Sequence, residues 1–405
     1  MTPEATLDIY NTAVKGHETF LKTDLMDFGM GDKGFIWESD PAKRREVAKK
    51  LLPAFSTKAI KAKEPTVHKY IDLFVNKMTE LGCKGDGVEI NEWLRWFAMD
   101  LSTDLAYNRE MHHMRDVSQV LKKFPLLSIF SVFFVSPKVL LSFLKVLKLN
   151  GEEIQKRIDN RGNTKHPDFV DFMLPLDATT PTTKKQKVHL EQVSFQLFIA
   201  GYDPIQITLN SVIFFLLKEP ETYAKLVKEI REAFQDYNDI NSDSLVGLKF
   251  LHACVQETLR VHVAGVSGLP RISPGAMVDG VYVPKGVVCQ ISTFSAARNP
   301  SYFRDSTEFR PQRWLPLDHP EYDSRYAKDN LKSFFPFGVG PRMCTGREIA
   351  WQQTKLFLAK VLWSFDLEGV RGLEKDFNKD FRVHVMWYRP ELWVRFVPVE
   401  RVSSG

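Results

Sequence analysis

Along this chain the spacing of apolar residues favours helices over most of its length, giving way to short β-type runs in the C-terminal half. A helix is predicted over 40–63, opened by Pro41 and carrying a basic face. Residues 191–217 form a long apolar segment, entered from the polar stretch 179–187 and closed by Lys218, Glu219 and Pro220. The stretch 221–234 is amphipathic and rich in charge, and 248–260 sets Leu248, Leu251, Val255 and Leu259 on one stripe. Between 269 and 293 the runs shorten and are split by Pro270, Pro274, Gly275, Gly280, Pro284 and Gly286, which predicts hairpins. Helical spacing returns over 346–364, where Ile349, Leu356, Ala359 and Trp363 share a face, and 381–399 ends the chain in strands. No internal repeat is visible, and 179–187 reads as a surface loop because helical segments flank it. The expected architecture is mainly α with a small β portion, in a single large domain over 1–405.

Composition narrows the class. At 405 residues, with 44% hydrophobic and 26% charged positions, the chain has ample material for a large core and is neither disordered nor fibrous. Thirty Phe and eight Trp suit an apolar interior or pocket. A net charge of +5 is a small excess at this size, compatible with weak attraction to an anionic membrane surface and far from a nucleic-acid signature, so no nucleic-acid partner is expected. Cys83, Cys254, Cys289 and Cys344 stand far apart with no C-x-x-C pair, which argues against a zinc site and for a reducing compartment. The first residues, MTPEATLDIYNTAVKG, lack the basic-then-apolar plan of a signal peptide. No run of about 18 apolar residues predicts a spanning helix. The segment 124–149, FPLLSIFSVFFVSPKVLLSFLKVLKL, is interrupted by Pro137 and punctuated by Lys138, Lys145 and Lys148. It reads equally as a buried helix pair and as a surface that dips into a bilayer interface.

The candidate chemistry sits in 337–346, where Phe337, Gly338, Gly340, Arg342, Cys344 and Gly346 precede a predicted helix. Glycines let backbone lie flat against a planar group without a Cβ in the way. Arg342 offers a guanidinium to a carboxylate such as a propionate. Cys344 at a helix N-terminus is expected to favour thiolate over thiol, and Gly346 lets the following helix approach closely.

These ten residues match, at every fixed position, the F-G-x-G-x-R-x-C-x-G haem signature, so the chain resembles the cytochromes P-450. Further motifs follow in the family's order. Glu257 and Arg260 match E-x-x-R, two charges on one helical face. The stretch 309–314, FRPQRW, is similar to the family's P-E-R-F element, with Arg313 completing the E-R-R triad. The resemblance gives this triad a structural role. Leu269, Pro270 and Arg271 resemble the strand whose Arg contacts a haem propionate. Ala200, Gly201, Tyr202 and Asp203 resemble the A-G-x-D/E of the long helix over the distal haem face. The resemblance implies small residues leaving room for O₂, and Asp203 relaying protons.

The departures are specific. Pro204 stands where the family usually has Thr, and a proline removes both a hydroxyl and a backbone N–H, which predicts a kink. Thr208, one turn on, is the substitute candidate, with a hydroxyl supplied by the substrate or a helix-facing structural role for Thr208 as the alternatives. In 40–56, similar to the family's C helix, Arg44 takes the W/H position and Ala48 the Arg position, so Arg44 and Lys49 are the replacement propionate partners. Relative to microsomal members the chain is expected to be N-terminally short, without the usual anchor and first strands, although its flavour is that of fungal microsomal members.

The resemblance implies haem b with Cys344 as axial ligand, use of O₂, and electrons from NADPH through a flavoprotein reductase. It implies insertion of one oxygen atom into an apolar small molecule, with secondary metabolism as the prior setting, at the cytoplasmic face of the endoplasmic reticulum. Pocket candidates by motif position are Phe198, Ala200, Val263, Val266, Met386 and Trp387, each of which also suits core packing. Pro204 keeps open a haem-thiolate isomerase, dehydratase or cyclising oxidase, and the short front end keeps open a catalytically silent haem binder.

Overall fold

The computed structural model describes residues 2–11, 13–14, 17–23, 32–115, 137–266, 268–383 and 387–400; for 13–14, 17–18 and 137–147 it gives the backbone alone. The segment 124–136 and Met386 lie outside the described residues. Contacts divide the chain into two compact units, one of Met1–Thr23, Ile71–Arg95 and Asp203–Gly405, the other of Asp24–Tyr70 and Trp96–Tyr202.

The second unit is helical. It holds α2 (Pro41–Leu51), α5 (Pro137–Asp159) and α6 (Phe169–Met173), with parts of α3 (Thr57–Lys77), α4 (Ile90–Tyr107) and α7 (Lys184–Lys218). The helix expected over 40–63 is two helices, because Pro53 closes the first in a 3-10 turn, Leu52–Phe55, and Ser56 takes extended backbone before the second. Asp40 caps α2 by accepting from Ala42 N–H at 2.8 Å. Arg157 is buried and paired with Asp168 at 2.5 Å, and Asp168 forms a reciprocal capping box with Asp171 at the start of α6.

The helix α7 begins at Lys184, earlier than the apolar pattern predicts. Thr183 and Gln186 explain the difference: Gln186 N–H donates to Thr183 Oγ1 at 3.3 Å, and Gln186 Oε1 accepts from Thr183 N–H at 3.1 Å. Helix assignment continues unbroken through Pro204. Among the described residues α7 is the one helix long and apolar enough to cross a membrane, and most of that window is buried in protein, as in a core helix.

The first unit carries α1 (Pro3–Tyr10), α8 (Pro220–Ala233), α9 (Lys249–Val261), α10 (Thr293–Ala297), α11 (Arg347–Ser364), α12 (Phe377–Asp380) and all the described strands. Near the start, β1 (Ala13–Val14) pairs with β2 (His17–Glu18), and β3 (Leu21–Lys22) joins β5 (Arg271–Ile272) and β8 (Val288–Cys289) in the order β3-β5-β8, antiparallel throughout. The hairpin β6 (Ala276–Val278) to β7 (Val281–Val283) turns on Asp279 and Gly280, both at positive φ. A second sheet, β4-β12-β9, pairs β12 (Trp393–Pro398) with β4 (Val88–Glu89) and β9 (Phe365–Arg371). The hairpin β10 (Arg382–Val383) to β11 (Trp387–Tyr388) precedes it.

Both core helices of this unit are buried more completely than a single stripe suggests. In α11 Ile349, Leu356 and Ala359 are buried as expected, but so are Gln353, Phe357, Leu358, Lys360 and Leu362, while Trp363 is half-buried with Nε1 donating to the Phe234 carbonyl at 3.0 Å. In α9, Glu229 caps the N-terminus from α8, its two oxygens accepting from Phe250 and Leu251 N–H at 2.8 Å each. Phenylalanine fills the space beside these helices. Phe215 stacks on Phe309 at 5.2 Å, and Phe377 meets Phe215, Phe381 and Trp387.

Candidate haem-thiolate site

The loop before α11 is built by short backbone bonds. Gly338 N–H donates to the Phe335 carbonyl at 3.0 Å, Cys344 N–H to Phe337 at 2.8 Å, and Met343 N–H to Gly340 at 3.0 Å. Closing these turns puts Gly338 at φ +72° and Gly340 at φ +74°, where a Cβ is strained. The two glycines differ in their surroundings. A Cβ on Gly340 would meet the Tyr10 carbonyl oxygen at 2.2 Å, whereas one on Gly338 would find nothing closer than Met343 Cα at 4.0 Å. Gly340 is therefore needed for the packing of α1 on the loop, and Gly338 leaves one side of the loop open.

Cys344 is exposed, while Cys254 is buried and Cys83 and Cys289 are half-buried, both donating from sulfur to backbone carbonyls. Helix α11 starts at Arg347 with Gly346 as its cap, so Cys344 lies two residues ahead of the cap. The protein around Cys344 pushes its thiol up, and the Gly346 N–H and the Arg347 charge lower it only in part. Gly346 itself has ordinary backbone, φ −84°. Phe337 is half-buried with its ring 6.2 Å from Trp351, and Arg342 is half-buried in the 3-10 turn Gly340–Arg342.

An exposed thiol, an adjoining glycine with an open side and a nearby arginine fit a haem held through sulfur. Cys344 would be the axial ligand, Gly338 would let the macrocycle lie against backbone, and Arg342 would face a propionate. Arg271 is buried in β5, its guanidinium donating to the Leu269 carbonyl at 3.1 Å and lying over the Tyr10 ring at 5.1 Å. In the other unit Arg44 lies over the Phe35 ring at 4.6 Å, while Ala48 is buried and Lys49 exposed.

The triad is assembled. Glu257, Arg260 and Arg313 are buried, with Glu257 accepting from Arg260 Nε and NH2 at 2.8 Å each and from Arg313 Nε at 3.1 Å. The same carboxylate accepts from Arg310 N–H and Trp314 Nε1 at 2.8 Å each. Burial would raise the pKa of Glu257, but the Arg260 and Arg313 charges outweigh it and hold the carboxyl below its ordinary value. Arg313 also pairs with Asp329, a partner no local spacing announced.

On α7, Asp203 is buried and accepts from Gln206 Nε2 at 2.8 Å, and Gln206 Oε1 accepts from Arg389 NH2 at 3.1 Å. Burial pushes the Asp203 carboxyl up, against the lowering effect of Gln206 and Arg389. Thr208 is buried, its hydroxyl donating to the Pro204 carbonyl at 2.8 Å. Gln206 and Arg389 escaped the sequence reading. Gln206 had a signal, its spacing of three from Asp203, and Arg389 had none.

The pocket candidates fall into separate groups. Trp387 Nε1 donates to the Val263 carbonyl at 3.0 Å, and both residues are buried. Val266 is half-buried, its carbonyl accepting from Phe294 N–H at 3.0 Å. In the other unit Phe198 lies between Tyr107 and Tyr202 at 6.2 and 5.9 Å, and Ala200 is exposed.

The cytochrome P-450 family profile matches residues 14–391. The chain is 45% identical to cytochrome P-450 monooxygenase TwmD of Talaromyces wortmannii, over 98% of this chain and 81% of that protein. It is 30% identical to cytochrome P-450 monooxygenase BOA3 of Botryotinia fuckeliana over 96% and 80%, and 30% identical to cytochrome P-450 monooxygenase poxC of Penicillium oxalicum over 98% and 78%. With the thiol loop, the buried triad and the helical fold, these matches establish that the chain belongs to the cytochrome P-450 family of haem-dependent monooxygenases.

Proposed function

We propose that the chain inserts one oxygen atom of O₂ into an apolar small molecule of secondary metabolism, with electrons drawn from NADPH through a flavoprotein reductase, on the cytoplasmic face of the endoplasmic reticulum. The observation that carries the reading is the exposed Cys344 thiol in the same loop as Gly338, where a Cβ would find open space. Haem b bound there would supply the oxygen chemistry, with the thiolate pushing electron density to the iron. The chain's own residues do the rest. Arg342 and Arg271 would each offer a guanidinium to a propionate, with Arg44 a further candidate for that role, while Phe337, Gly338, Gly340 and Gly346 would shape the thiolate side. Asp203 holds or moves a proton at its carboxyl oxygens. Thr208, whose hydroxyl proton is bonded to the Pro204 carbonyl, keeps its lone pairs for accepting. Val263, Val266 and Trp387 in one unit, Phe198 and Ala200 in the other, and Met386 are each candidates for apolar contact to the substrate, and the segment 124–149 is the candidate for contact with the membrane surface.

The test is expression with a reductase under isotopically heavy O₂. One heavy oxygen in the product is the expected result. A product formed without it would replace this reading with the isomerase, dehydratase or cyclising-oxidase chemistry that Pro204 keeps open.

A further inference from the structure

We infer that Gln206 and Arg389 are positioning residues for Asp203, a two-link tether that orients the carboxylate on a helix whose next residue, Pro204, offers no donor. The inference rests on the reading of Asp203 as the proton-handling group. All three residues belong to one compact unit.

Asp203 and Gln206 are three apart on α7 and share a face. Both are buried, and the 2.8 Å bond from Gln206 Nε2 to Asp203 Oδ1 is the one side-chain hydrogen bond to that carboxylate among the described residues. A buried carboxylate needs such a donor, because leaving its oxygens unmatched costs desolvation with nothing in return. An amide can turn through its own side-chain torsions. What fixes this one is its other end, since Gln206 Oε1 accepts from Arg389 NH2 at 3.1 Å. Arg389 thus decides which way the Gln206 amide points, and so which atom faces Asp203.

Arg389 is held by its neighbours along the chain. Two residues before it, Trp387 donates to the Val263 carbonyl at 3.0 Å and meets the His262 ring edge-on at 4.3 Å. One residue after it, the Pro390 carbonyl accepts from Asn91 Nδ2 at 2.9 Å. The guanidinium therefore hangs from a segment pinned on both sides. That segment follows the β10–β11 hairpin, so an apolar substrate pressing on Trp387 would be felt at Asp203 through Arg389 and Gln206. The ionisable groups facing this network are Arg389 itself, His262 at the end of α9, which burial keeps neutral, and Arg298 just after α10. Asp203 is the acid among them.

The test uses the haem-loaded full chain and the infrared carboxyl band that disappears in Asp203→Asn. Titrated against pH, that band should shift its midpoint upward by about one unit in Gln206→Leu and in Arg389→Gln. Arg389→Lys, which keeps the charge, should shift it less than Arg389→Gln. Midpoints unchanged in both Gln206→Leu and Arg389→Gln would overturn the tether. Should Gln206→Leu fail to give folded haem protein, Gln206→Glu sets a second carboxylate beside Asp203 and should also raise the midpoint, and no rise there would overturn it equally. Failure of the underlying reading looks different: Asp203→Asn would then leave product formed per NADPH unchanged, whatever the infrared midpoints do.

Discussion

The guanidinium of Arg260 grips the carboxylate of Glu257 with two hydrogen bonds of 2.8 Å, and neither side chain is exposed at all. The remaining Arg260 donors reach the carbonyls of Ala297, Ser306 and Glu308, so one ion pair ties the end of α9 to the end of α10 and the segment that follows it. Glu257→Ala would strand the buried charge of Arg260 and leave Arg313 with Asp329 as its carboxylate, at a cost of about 3–5 kcal/mol. Denaturant unfolding of the haem-loaded variant measures it. A loss below about 1 kcal/mol would show that the carboxylate is not the centre of this network.

Cys344 is expected to be the one cysteine whose loss abolishes the reduced carbon monoxide band near about 450 nm, the thiolate signature the family implies. Cys83→Ala and Cys289→Ala remove half-buried thiols bonded only to nearby carbonyls, and Cys254→Ala leaves a small apolar gap in α9. All three should keep the band. A band at about 420 nm in intact wild-type protein would count against sulfur ligation.

The thiol loop was legible because its chemistry is local: ten consecutive residues hold the sulfur, the glycines and an arginine, and the structure bends them through bonds among themselves and to Phe335 just ahead of them. Glu257 and Arg260 were legible for the same reason, being one helical turn apart. What escaped was long-range. Asp329 reaches Arg313 across a coil, and Arg389 reaches Gln206 from 183 residues away, so neither carries a spacing to read. Two local signals were also underweighted, namely Pro53, which splits the predicted helix over 40–63, and the Thr183–Gln186 pair, which starts α7 early.

His262 sets a pH dependence. Ser211 donates its hydroxyl to the Ile207 carbonyl at 2.7 Å and therefore accepts from His262 Nδ1, 2.5 Å away, while Nε2 is buried without a hydrogen-bond partner among the described residues. Burial, with the Arg389 and Arg298 charges adding to it, holds the imidazole well below its ordinary value of 6.5. The unfolded chain then binds a proton that the folded chain refuses. Stability from this residue is complete above pH 6.5 and falls as the pH drops below it, by up to about 1.4 kcal/mol per unit. Unfolding midpoints measured from about pH 7 to about pH 5 should decline less steeply in His262→Phe than in the wild type. Parallel curves would mean that His262 does not stay neutral.

Gly338 and Gly340 share a backbone conformation but should respond differently to the same substitution. In Gly340→Ala the new methyl would sit 2.2 Å from the Tyr10 carbonyl oxygen and 2.7 Å from Asn11 Cα, backbone that cannot step aside alone. That variant should lose thermal stability and haem together. In Gly338→Ala the protein offers no clash, and the left-handed φ costs about 1–2 kcal/mol. If the open side of Gly338 is where the macrocycle rests, this methyl meets haem instead of protein. Haem content per chain, and the rate at which haem passes to an acceptor apoprotein, should then worsen several-fold more than the melting temperature implies. A Gly338→Ala protein that keeps its haem as firmly as the wild type would move the macrocycle away from this glycine.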